Sequence, residues 1–439
     1  MNTGAPESKT TAIKALEVTR KVRPMIKDWS AKTHEAQAKG EPVAYYFVQS
    51  FYEDILRAMD IISVGTENYA ALCAAKMDAE RFLDKAEAEG YAPHLCSYAR
   101  CWIGFDALYK ELGEMPSSAP DGGLARPTVM LGTGMMICEP RYKGFQASQR
   151  YVDVPMHVLN LLWPPFDANI KEVQDYYVRF TTEELRELVE FLEKHTGRKM
   201  DWAKLSEVTD LIERTLIIWN KAYKLRKAFP SPMPTEDAMS TMVPGWFYIG
   251  TQQAYDFYEE LYNEVKNRVD NKLGVISDEK YRILWGGGLP PWFAMNLFNY
   301  FESFGAVFPI EITYHPLPPV EIPAGVTDPL ERIAWRFFKQ FTYRHEKAQK
   351  HTGHPDVEWL LEMIDDYKID GVVFHQARTC RTVHCGQLHE INVLKEFIDI
   401  PTLVLESDIV DMHYYSEFET KKKIEAFIEA VDTHKKSKR

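Results

Sequence analysis

Short apolar runs, separated by longer amphipathic stretches, set the pattern of the first third of the chain. One run covers Pro42–Val48 and another covers Pro127–Gly132. Charged sequence with helical character follows the first run to about Gly90. Short, mostly apolar strands with helices between them are typical of a parallel sheet that is covered on both faces.

The middle of the chain has the period of helices. Thr181 and Glu184 form a capping box that predicts the start of a helix, and Gly197 predicts its end. Apolar residues at helical spacing predict the buried faces of this helix and of a second one. The first stripe consists of Leu185, Leu188 and Leu192, and the second of Ala254, Tyr258, Leu261, Val265 and Val269.

Apolar runs return near Tyr281, and the region that they open repeats the α/β pattern. Helices are predicted over 327–348, 356–366 and 415–430. The four strand-like runs are Arg282–Trp285, Ala306–Ile310, Gly371–Phe374 and Thr402–Leu405.

Together these patterns predict an α/β protein with two parallel-sheet domains, flavodoxin-like or Rossmann-like, and a helical insert between them. An N-terminal helical arm is predicted over residues 1–40 and the first α/β domain over 41–165. The helical region is predicted over 166–275, and the second α/β domain over 276–439.

Composition and charge narrow the class of partner. The chain of 439 residues has 45% apolar and 26% charged residues, as a globular protein has. Its net charge of −12 disfavours nucleic acid and anionic lipid surfaces. The N-terminus shows no apolar signal segment, and glycines and prolines interrupt the uncharged stretch Ile283–Phe301. We therefore expect a cytoplasmic protein that binds neither nucleic acid nor membrane.

Six cysteines are too few for a disulfide scaffold in a chain of this length. Cys96, Cys138 and Cys380 lie in loops or after predicted strands, and Cys385 follows Cys380 closely. Because loops after parallel strands form the binding crevice of an α/β sheet, thiolates from such loops can meet at one metal centre. Three thiolates on a four-iron cluster leave one iron open for substrate. Separately packed free thiols are the alternative, and Cys73 in its helical alanine context fits that description.

Side chains that can transfer protons accompany these cysteines. Glu139 follows Cys138, and His375 and His384 flank Cys380 in the sequence. A histidine, or a carboxyl group with a raised pKa, can deliver protons near a bound substrate. Glu139, His375 and His384 are therefore the candidate catalytic residues. The alternative is that the histidines only satisfy hydrogen bonds within their loops.

Nucleotide-binding motifs are weak. The chain has no phosphate loop that ends in Lys-Ser or Lys-Thr, and Gly132-Thr133-Gly134 lacks the third glycine of a dinucleotide fingerprint. The stretch Gly286–Pro291 has two interpretations, a backbone cradle for an anion or a tight turn. We therefore expect no ATP site on this chain, so that any ATP hydrolysis belongs to another polypeptide.

Three cysteine motifs and two strand motifs occur in a fixed order. They are Cys96-Ser97-Tyr98-Ala99-Arg100, Cys138-Glu139 with Lys143, Asp370-Gly371-Val372-Val373 with Cys380, and the strands Arg282–Leu284 and Ile400–Asp408. Over about residues 40 to 435 the chain resembles the 2-hydroxyacyl-CoA dehydratase and benzoyl-CoA reductase family. It departs from the dehydratase pattern where an acidic residue usually follows the third cysteine by six, because that position is Gly386 and Glu390 comes later.

The resemblance implies the cluster-bearing subunit of a class I, ATP-dependent benzoyl-CoA reductase. Such an enzyme reduces the ring of benzoyl-CoA, or of a substituted analogue, to a cyclic dienoyl-CoA during anaerobic aromatic degradation. A subunit of a 2-hydroxyacyl-CoA dehydratase is the first alternative. A non-catalytic metal or electron-transfer scaffold is the second.

The resemblance also implies a cofactor and partners. Cys96, Cys138 and Cys380 are the implied ligands of a [4Fe-4S] cluster, or of a larger iron–sulfur cluster, with Cys385 as the alternative to Cys380. The implied partners are an aromatic acyl-CoA substrate, a homologous cluster-bearing subunit, and an ATP-hydrolysing subunit that supplies electrons. Ferredoxin is implied indirectly, as the source of those electrons.

Overall fold

The computed structural model describes residues 12–47, 51–134 and 138–438. Val48 of the first predicted strand, residues 1–11 of the predicted arm, and Arg439 lie outside the described residues.

A parallel sheet with helices around it forms from the N-terminal part of the chain. Its strands pair in the order β2-β1-β3-β4. The strands are β1 (Val43–Tyr46), β2 (Ile62–Gly65), β3 (Val129–Thr133) and β4 (Met156–Leu159). The helices are α1 (Val22–Ala38), α2 (Glu53–Ala58), α3 (Thr66–Ala75), α4 (Glu80–Ala88), α5 (Ser97–Leu112) and α6 (Pro140–Ser148).

Five helices follow in the middle of the chain, and the second sheet comes after them. The middle helices are α7 (Ile170–Thr196), α8 (Trp202–Lys224), α9 (Thr235–Ser240), α10 (Met242–Phe247) and α11 (Gln252–Asp270). The strands of the second sheet are β5 (Tyr281–Gly287), β6 (Ala306–Glu311), β7 (Gly371–Ala377) and β8 (Thr402–Ser407). Its helices are α12 (Leu297–Glu302), α13 (Pro329–Thr342), α14 (His345–Lys350), α15 (Pro355–Asp366), α16 (Arg381–Phe397) and α17 (Glu417–Ser437).

Both sheets are four-stranded and entirely parallel, which confirms the predicted α/β fold with two parallel sheets. The second sheet has the order β6-β5-β7-β8, so it repeats the order of the first. In each sheet the first strand along the chain lies between the second and the third. From the first strand, the chain therefore runs to one side for the second strand and to the other side for the third, in both sheets. Open α/β sheets bind ligands at the carboxyl ends of the two strands where this reversal occurs.

Two local predictions are wrong. The helical stretch expected up to Gly90 contains strand β2, whose four residues are too few to show a period in the sequence. The predicted capping box lies inside α7, where Thr181 is buried. The Asn169 side chain caps α7 instead, by accepting from the backbone N–H of Lys171. Glu184 accepts a hydrogen bond from the backbone N–H of Asn160, at 2.8 Å, rather than capping its own helix.

The middle helices are joined to both sheets through packed apolar faces and one buried ion pair. The three leucines of the first stripe are fully buried, and Gly197 ends α7 in a left-handed conformation, both as predicted. Arg226, just after α8, donates two hydrogen bonds of 2.6 and 2.7 Å to Glu311 at the end of β6. Since neither side chain is exposed, this pair fixes the helical region to the second sheet. Within the described parts of the chain, none of the helices has the length and apolarity that crossing a membrane requires.

Candidate active site

The two sheets meet around a cavity of about 420 Å³. Its walls come from segments that follow strands: Phe47 follows β1, Cys138 follows β3, the turn 286–289 ends β5, and Thr379 follows β7. The cavity therefore lies at the carboxyl ends of both sheets, where the strand order predicts a ligand site.

Cys96, Cys138 and Cys380 line this one cavity. Cys96 immediately precedes α5, Cys380 immediately precedes α16, and Cys138 lies two residues before α6. All three are partly buried. Cys138 and Cys380 follow the third strand of their respective sheets, so the repeated topology places them equivalently. The structure thus brings together the three thiols that the resemblance names as ligands.

The other cysteines lie elsewhere. Cys385 is exposed within α16 and does not line the cavity. Cys73 and Cys101 are fully buried in the apolar core around the first sheet, where small apolar side chains belong.

The three thiols lie in surroundings that disfavour a free thiolate. Burial raises the pKa of Cys96 well above its usual value, and raises the pKa of Cys380 to about 12. Burial also raises the pKa of Cys138, although the nearby Arg141 guanidinium opposes that shift. A bound metal ion reverses this preference, because its positive charge deprotonates the thiols that it binds.

The donor set fits a cluster better than a single ion. Across the described residues, no three His, Cys, Asp or Glu side chains are grouped closely enough to hold one metal ion. In a four-iron cluster each thiolate binds a different iron, so the ligands stand farther apart than those of one zinc ion. Cys96, Cys138 and Cys380 reach one cavity from three different loops, as the ligands of such a cluster would.

A buried carboxylate, Asp408 after β8, joins the loops of Cys96 and Cys380. Ser97 donates its hydroxyl hydrogen bond to Asp408 Oδ1. The Thr379 backbone N–H and hydroxyl donate to Asp408 Oδ2 at 3.0 and 2.6 Å. The Ser97 backbone N–H in turn donates to Thr379 Oγ1 at 3.0 Å. Asp408 is completely buried, so both cysteine loops depend on a group that belongs to the second sheet.

Arg100, the last residue of the first cysteine motif, spans the same junction. Its guanidinium donates to Asp411 Oδ2 at 2.7 Å, to Glu87, and to the Leu95 carbonyl. Arg100 is 1% exposed. The motif residues Ser97 and Arg100 therefore position the loop of Cys96 and do not themselves line the cavity.

Glu67, in the first turn of α3, is a cavity residue that the sequence did not reveal. Burial raises the pKa of its carboxyl group to about 7, and the positive charge of Arg141 opposes the rise. Arg141 is buried and lies over the Phe47 ring at 5.0 Å. Glu67 can therefore hold a proton at neutral pH beside the thiols. It follows β2 directly, and no sequence signal marked that strand.

Aromatic side chains form much of the cavity wall. The Tyr98 and Tyr314 hydroxyl groups lie 3.1 Å apart, and the Trp292 indole N–H donates to Tyr98. The Trp246 ring packs on Tyr314 with 5.2 Å between centroids. The Phe47 and Trp359 side chains complete the aromatic lining. Such a wall suits a flat apolar group and excludes water from it.

The predicted proton donors have different placements. Glu139 lines the cavity and pairs with Arg381 at 3.4 Å. His384 is partly buried in α16 and does not line the cavity. Glu390, also in α16, does line it, and burial raises the pKa of its carboxyl group to about 7.

His375 is held away from the cavity because β7 continues beyond Phe374 to Ala377. The ring Nδ1–H donates to the Leu289 carbonyl, and Nε2 accepts from the Ser407 hydroxyl at 2.6 Å. Burial lowers the pKa of the imidazole to about 4, so the ring is neutral at pH 7. Nδ1 thus ties the turn after β5 to β7, and Nε2 ties the end of β8 to β7, so neither nitrogen is free.

That turn, 286–289, is close-packed on β7. Gly288 has φ +84°, and a Cβ there would lie 2.0 Å from the His375 carbonyl oxygen. The Gly288 carbonyl accepts hydrogen bonds from the Trp285 indole and the Thr313 hydroxyl. The stretch 286–289 is therefore a tight turn, as one of the two interpretations of this sequence predicted.

Comparison with known proteins gives one family. A family model described as "2-hydroxyglutaryl-CoA dehydratase, D-component" matches residues 50–431. Lactoyl-CoA dehydratase subunit alpha of Anaerotignum propionicum is 23% identical, covering 91% of this chain and 93% of the relative. (R)-phenyllactyl-CoA dehydratase alpha subunit of Clostridium sporogenes is 23% identical, covering 92% and 93%. A benzoyl-CoA reductase subunit of Thauera aromatica is 22% identical, covering 90% and 89%.

Proposed function

The chain belongs to the 2-hydroxyglutaryl-CoA dehydratase, D-component, family, as the sequence motifs predicted, and from this we propose that it is the iron–sulfur subunit of a benzoyl-CoA reductase. The relatives compared above are subunits of CoA dehydratases and of a CoA reductase, so the family is enzymatic. The observation that carries the proposal is the convergence of Cys96, Cys138 and Cys380 on one cavity with aromatic walls.

In this proposal, Cys96, Cys138 and Cys380 hold a [4Fe-4S] cluster with one iron free of protein ligands. Bound there, the cluster supplies electrons near the reducing end of the iron–sulfur range, about −700 mV at the extreme. Such a potential is needed because adding an electron to a benzene ring is very unfavourable. The wall of Tyr98, Tyr314 and other rings keeps water from the site, which also lowers the local dielectric.

The residues of the chain hold the ring and supply a proton. Reduction of the ring to a cyclic diene takes up two electrons and two protons. The Glu67 carboxyl group, protonated near neutral pH, donates one proton from its oxygen to a ring carbon and becomes a carboxylate that Arg141 stabilises. Glu390 is a second carboxyl group of the cavity that can hold a proton at neutral pH.

We further propose that the electrons come from a partner. The chain shows no phosphate-loop sequence, so an ATP-hydrolysing subunit, itself reduced by ferredoxin, is proposed to pass electrons to this chain. A homologous cluster-bearing subunit is proposed as the second partner.

A 2-hydroxyacyl-CoA dehydratase subunit is the second candidate. It is favoured by the relatives, because lactoyl-CoA, (R)-phenyllactyl-CoA and (R)-2-hydroxyisocaproyl-CoA dehydratase alpha subunits all match the chain. In this case the proton on Glu67 goes to the hydroxyl oxygen on C2, which departs as water, while C3 gives up a proton to a base and the C2–C3 double bond forms, so no net reduction occurs.

Serine variants of the cysteines test the proposed ligand set. Cys96→Ser, Cys138→Ser and Cys380→Ser should each lose most of their iron in anaerobic iron analysis and EPR. Cys73→Ser, in the apolar core, and Cys385→Ser, exposed on α16, should keep it. Full iron content in the first three variants would refute the site. Loss in Cys385→Ser together with Cys380→Ser would indicate a larger cluster.

Substrate assays then separate the two enzymes. The complex reconstituted with its activating partner should form a dienoyl-CoA from benzoyl-CoA and consume two electrons for each product. Turnover of (R)-phenyllactyl-CoA to an unsaturated acyl-CoA, without consumption of benzoyl-CoA, would assign the chain to the dehydratases.

A further inference from the structure

A smaller apolar cavity, of about 220 Å³, lies between α1, α3 and α10. Among the described residues, none of the cysteines and carboxyl groups of the candidate active site lines it. Gly65 and Phe247, both buried, form its inner end with Trp292, and the exposed Ala75 lies at its outer end. The cavity is therefore accessible to a small molecule from the end of α3.

A thin partition separates this apolar cavity from the cysteine cavity. In α3, Glu67 lines the cysteine cavity and its neighbour Asn68 lines the apolar cavity. Trp292 lines the apolar cavity and donates its indole N–H to Tyr98, which lines the cysteine cavity. The two cavities are thus separate spaces, and a molecule bound in the apolar cavity would contact the rear of the candidate active site.

The size and lining of the apolar cavity suit one aromatic ring with a small substituent. A cavity of about 150 Å³ with apolar walls can hold benzene, so 220 Å³ leaves room for a substituent but not for a CoA thioester. Apolar side chains form most of the wall, and they include Val22, Ile26, Trp29, Leu72, Val243 and Phe247.

The lining offers no free charge to a ligand. Among the described residues, no Lys, Arg or His lines the cavity, and the one carboxylate that does, Asp121, pairs with Arg23 at 2.6 Å. Burying an unpaired charge in apolar surroundings costs far more free energy than burying a neutral group. An aromatic carboxylate such as benzoate is therefore disfavoured, and the ligand must be neutral.

One polar atom at the inner end of this apolar space has no partner. The Asn68 Oδ1 oxygen is buried and accepts no hydrogen bond from any described residue. A Cβ on Gly65, which also lines the cavity, would lie 2.5 Å from this oxygen. The other unpartnered polar atom of the wall, the Tyr69 hydroxyl, lies beside the Cys73 thiol of the core. A ligand that donates an O–H group to Asn68 would recover the free energy of the missing hydrogen bond.

We propose that the apolar cavity binds a neutral, single-ring phenol, with its ring between α1 and α3 and its hydroxyl group donating to Asn68 Oδ1. The ligand class follows from the volume, the absence of a free charge in the lining and the single acceptor at the inner end. This inference does not depend on the reaction at the cysteine cavity, so binding of phenol in a chain that holds no iron would leave it standing.

Calorimetric titration of the full chain, purified without oxygen, tests the assignment with phenol, toluene and benzoate. Phenol should bind with a dissociation constant of about 1 mM or tighter, as its few atoms allow, and benzoate should not bind in that range. Asn68→Leu should weaken phenol about tenfold, the equivalent of one hydrogen bond, and change toluene, which has no donor, by less than about twofold. Asn263→Leu is the matched control, because Asn263 is exposed on α11 and does not line the cavity, and it should change neither affinity.

The melting temperature of the unliganded chain gives a second measurement. Asn68→Leu should raise it, because an apolar side chain of similar size replaces a buried oxygen without a partner. Asn263→Leu should leave it unchanged. A lower melting temperature of Asn68→Leu would show that the fold already satisfies the Asn68 amide, and would overturn the assignment.

Ala71→Phe tests the place of binding, because Ala71 lines the cavity and a ring at this position would fill it. Phenol and toluene should both lose their binding, and the far-UV circular dichroism should be retained. Unchanged phenol binding in this variant would place phenol elsewhere and overturn the proposal, as would benzoate binding as tightly as phenol. Equal effects of the two asparagine variants on phenol would overturn it too, and they decide the question if the Ala71→Phe chain does not fold.

Discussion

Glu67 and Glu358 show how one kind of side chain acquires opposite properties from its surroundings. Burial raises the pKa of the Glu67 carboxyl group to about 7 in the cavity. Among the described residues, the positive charge of Arg141 opposes this rise. Glu358 is buried, but it pairs with Lys347 and His351 at 2.7 and 2.9 Å, and these partners hold the pKa of its carboxyl group below the usual value. The first residue is poised to exchange protons, and the second is fixed as a charge.

The stability of the chain should report this difference. Between pH 4.5 and 7 the unfolded chain ionises Glu67 while the folded chain keeps it protonated, so this residue costs stability as the pH rises. Relative to the wild type, Glu67→Gln should therefore be about 1–2 kcal/mol more stable at pH 8 than at pH 5 in urea unfolding. Glu358→Gln is the comparison variant, and it should lose stability at both pH values because Glu358 is ionised at both. A pH-independent difference for Glu67→Gln would show that its carboxyl group is not poised near 7.

At the scale of elements, the position of the turn after β5 decides the shape of the cavity. The turn passes so close to β7 that only glycine fits at residue 288, and the His375 imidazole ties it to β7 from below. The chain then leads into the aromatic segment that carries Trp292. The turn itself lines the cavity, and Trp292 beyond it donates a hydrogen bond to Tyr98 of the cavity wall, so the turn positions this part of the site.

Gly288→Ala should lower the free energy of unfolding by more than about 2 kcal/mol, because the new Cβ must displace the β7 backbone. Gly353→Ala is the matched control, since φ is +71° there and a Cβ would meet nothing within 4 Å. It should cost only the conformational penalty, about 1 kcal/mol. Equal losses in the two variants in urea unfolding would show that the close approach to β7 is unimportant.

The strands that the sequence predicted are those that lie in an apolar run, and this includes the four-residue β1 within Pro42–Val48. The strands of the second sheet have six or seven residues, most of them buried in β5, β6 and β7, and the predicted runs fall on these strands. Strands β2 and β4 have four residues each and include the polar Ser63 and His157. A period of two cannot be recognised in so short a segment, and Glu67 was missed for the same reason.

At the scale of the whole molecule, the site belongs to neither sheet alone. Cys96 and Cys138 come with the first sheet, Cys380 with the second, and Asp408 connects the loops of Cys96 and Cys380. The loop context of the three cysteines and the family resemblance together singled them out in the sequence, and all three line the one cavity. Which proton donors would stand beside them depends on packing between distant segments. This explains why His375 was predicted there and Glu67 was not.

Asp408→Asn tests the junction between the sheets. An amide nitrogen in place of one carboxylate oxygen would face the Ser97 or Thr379 donors, so the variant should lose about 3 kcal/mol of stability. It should also retain less iron after anaerobic reconstitution. Asp399→Asn, at a side chain that is 94% exposed, should change stability by less than about 0.5 kcal/mol. The same stability in both variants would show that the junction does not hold the sheets together.

The junction also fixes when, during synthesis, the site can come into existence. Ser97 and Asp408 are separated by 311 positions, so the loop of Cys96 leaves the ribosome long before its anchor. At about 5–20 residues per second, that interval lasts some tens of seconds. During this interval the first sheet can fold, but Cys96 and Cys138 still lack Cys380 and the part of the cavity that the second sheet supplies. Under the proposed function, a cluster would therefore be inserted only into the finished chain, and until then the waiting thiols would be exposed to any oxidant that the cell fails to remove.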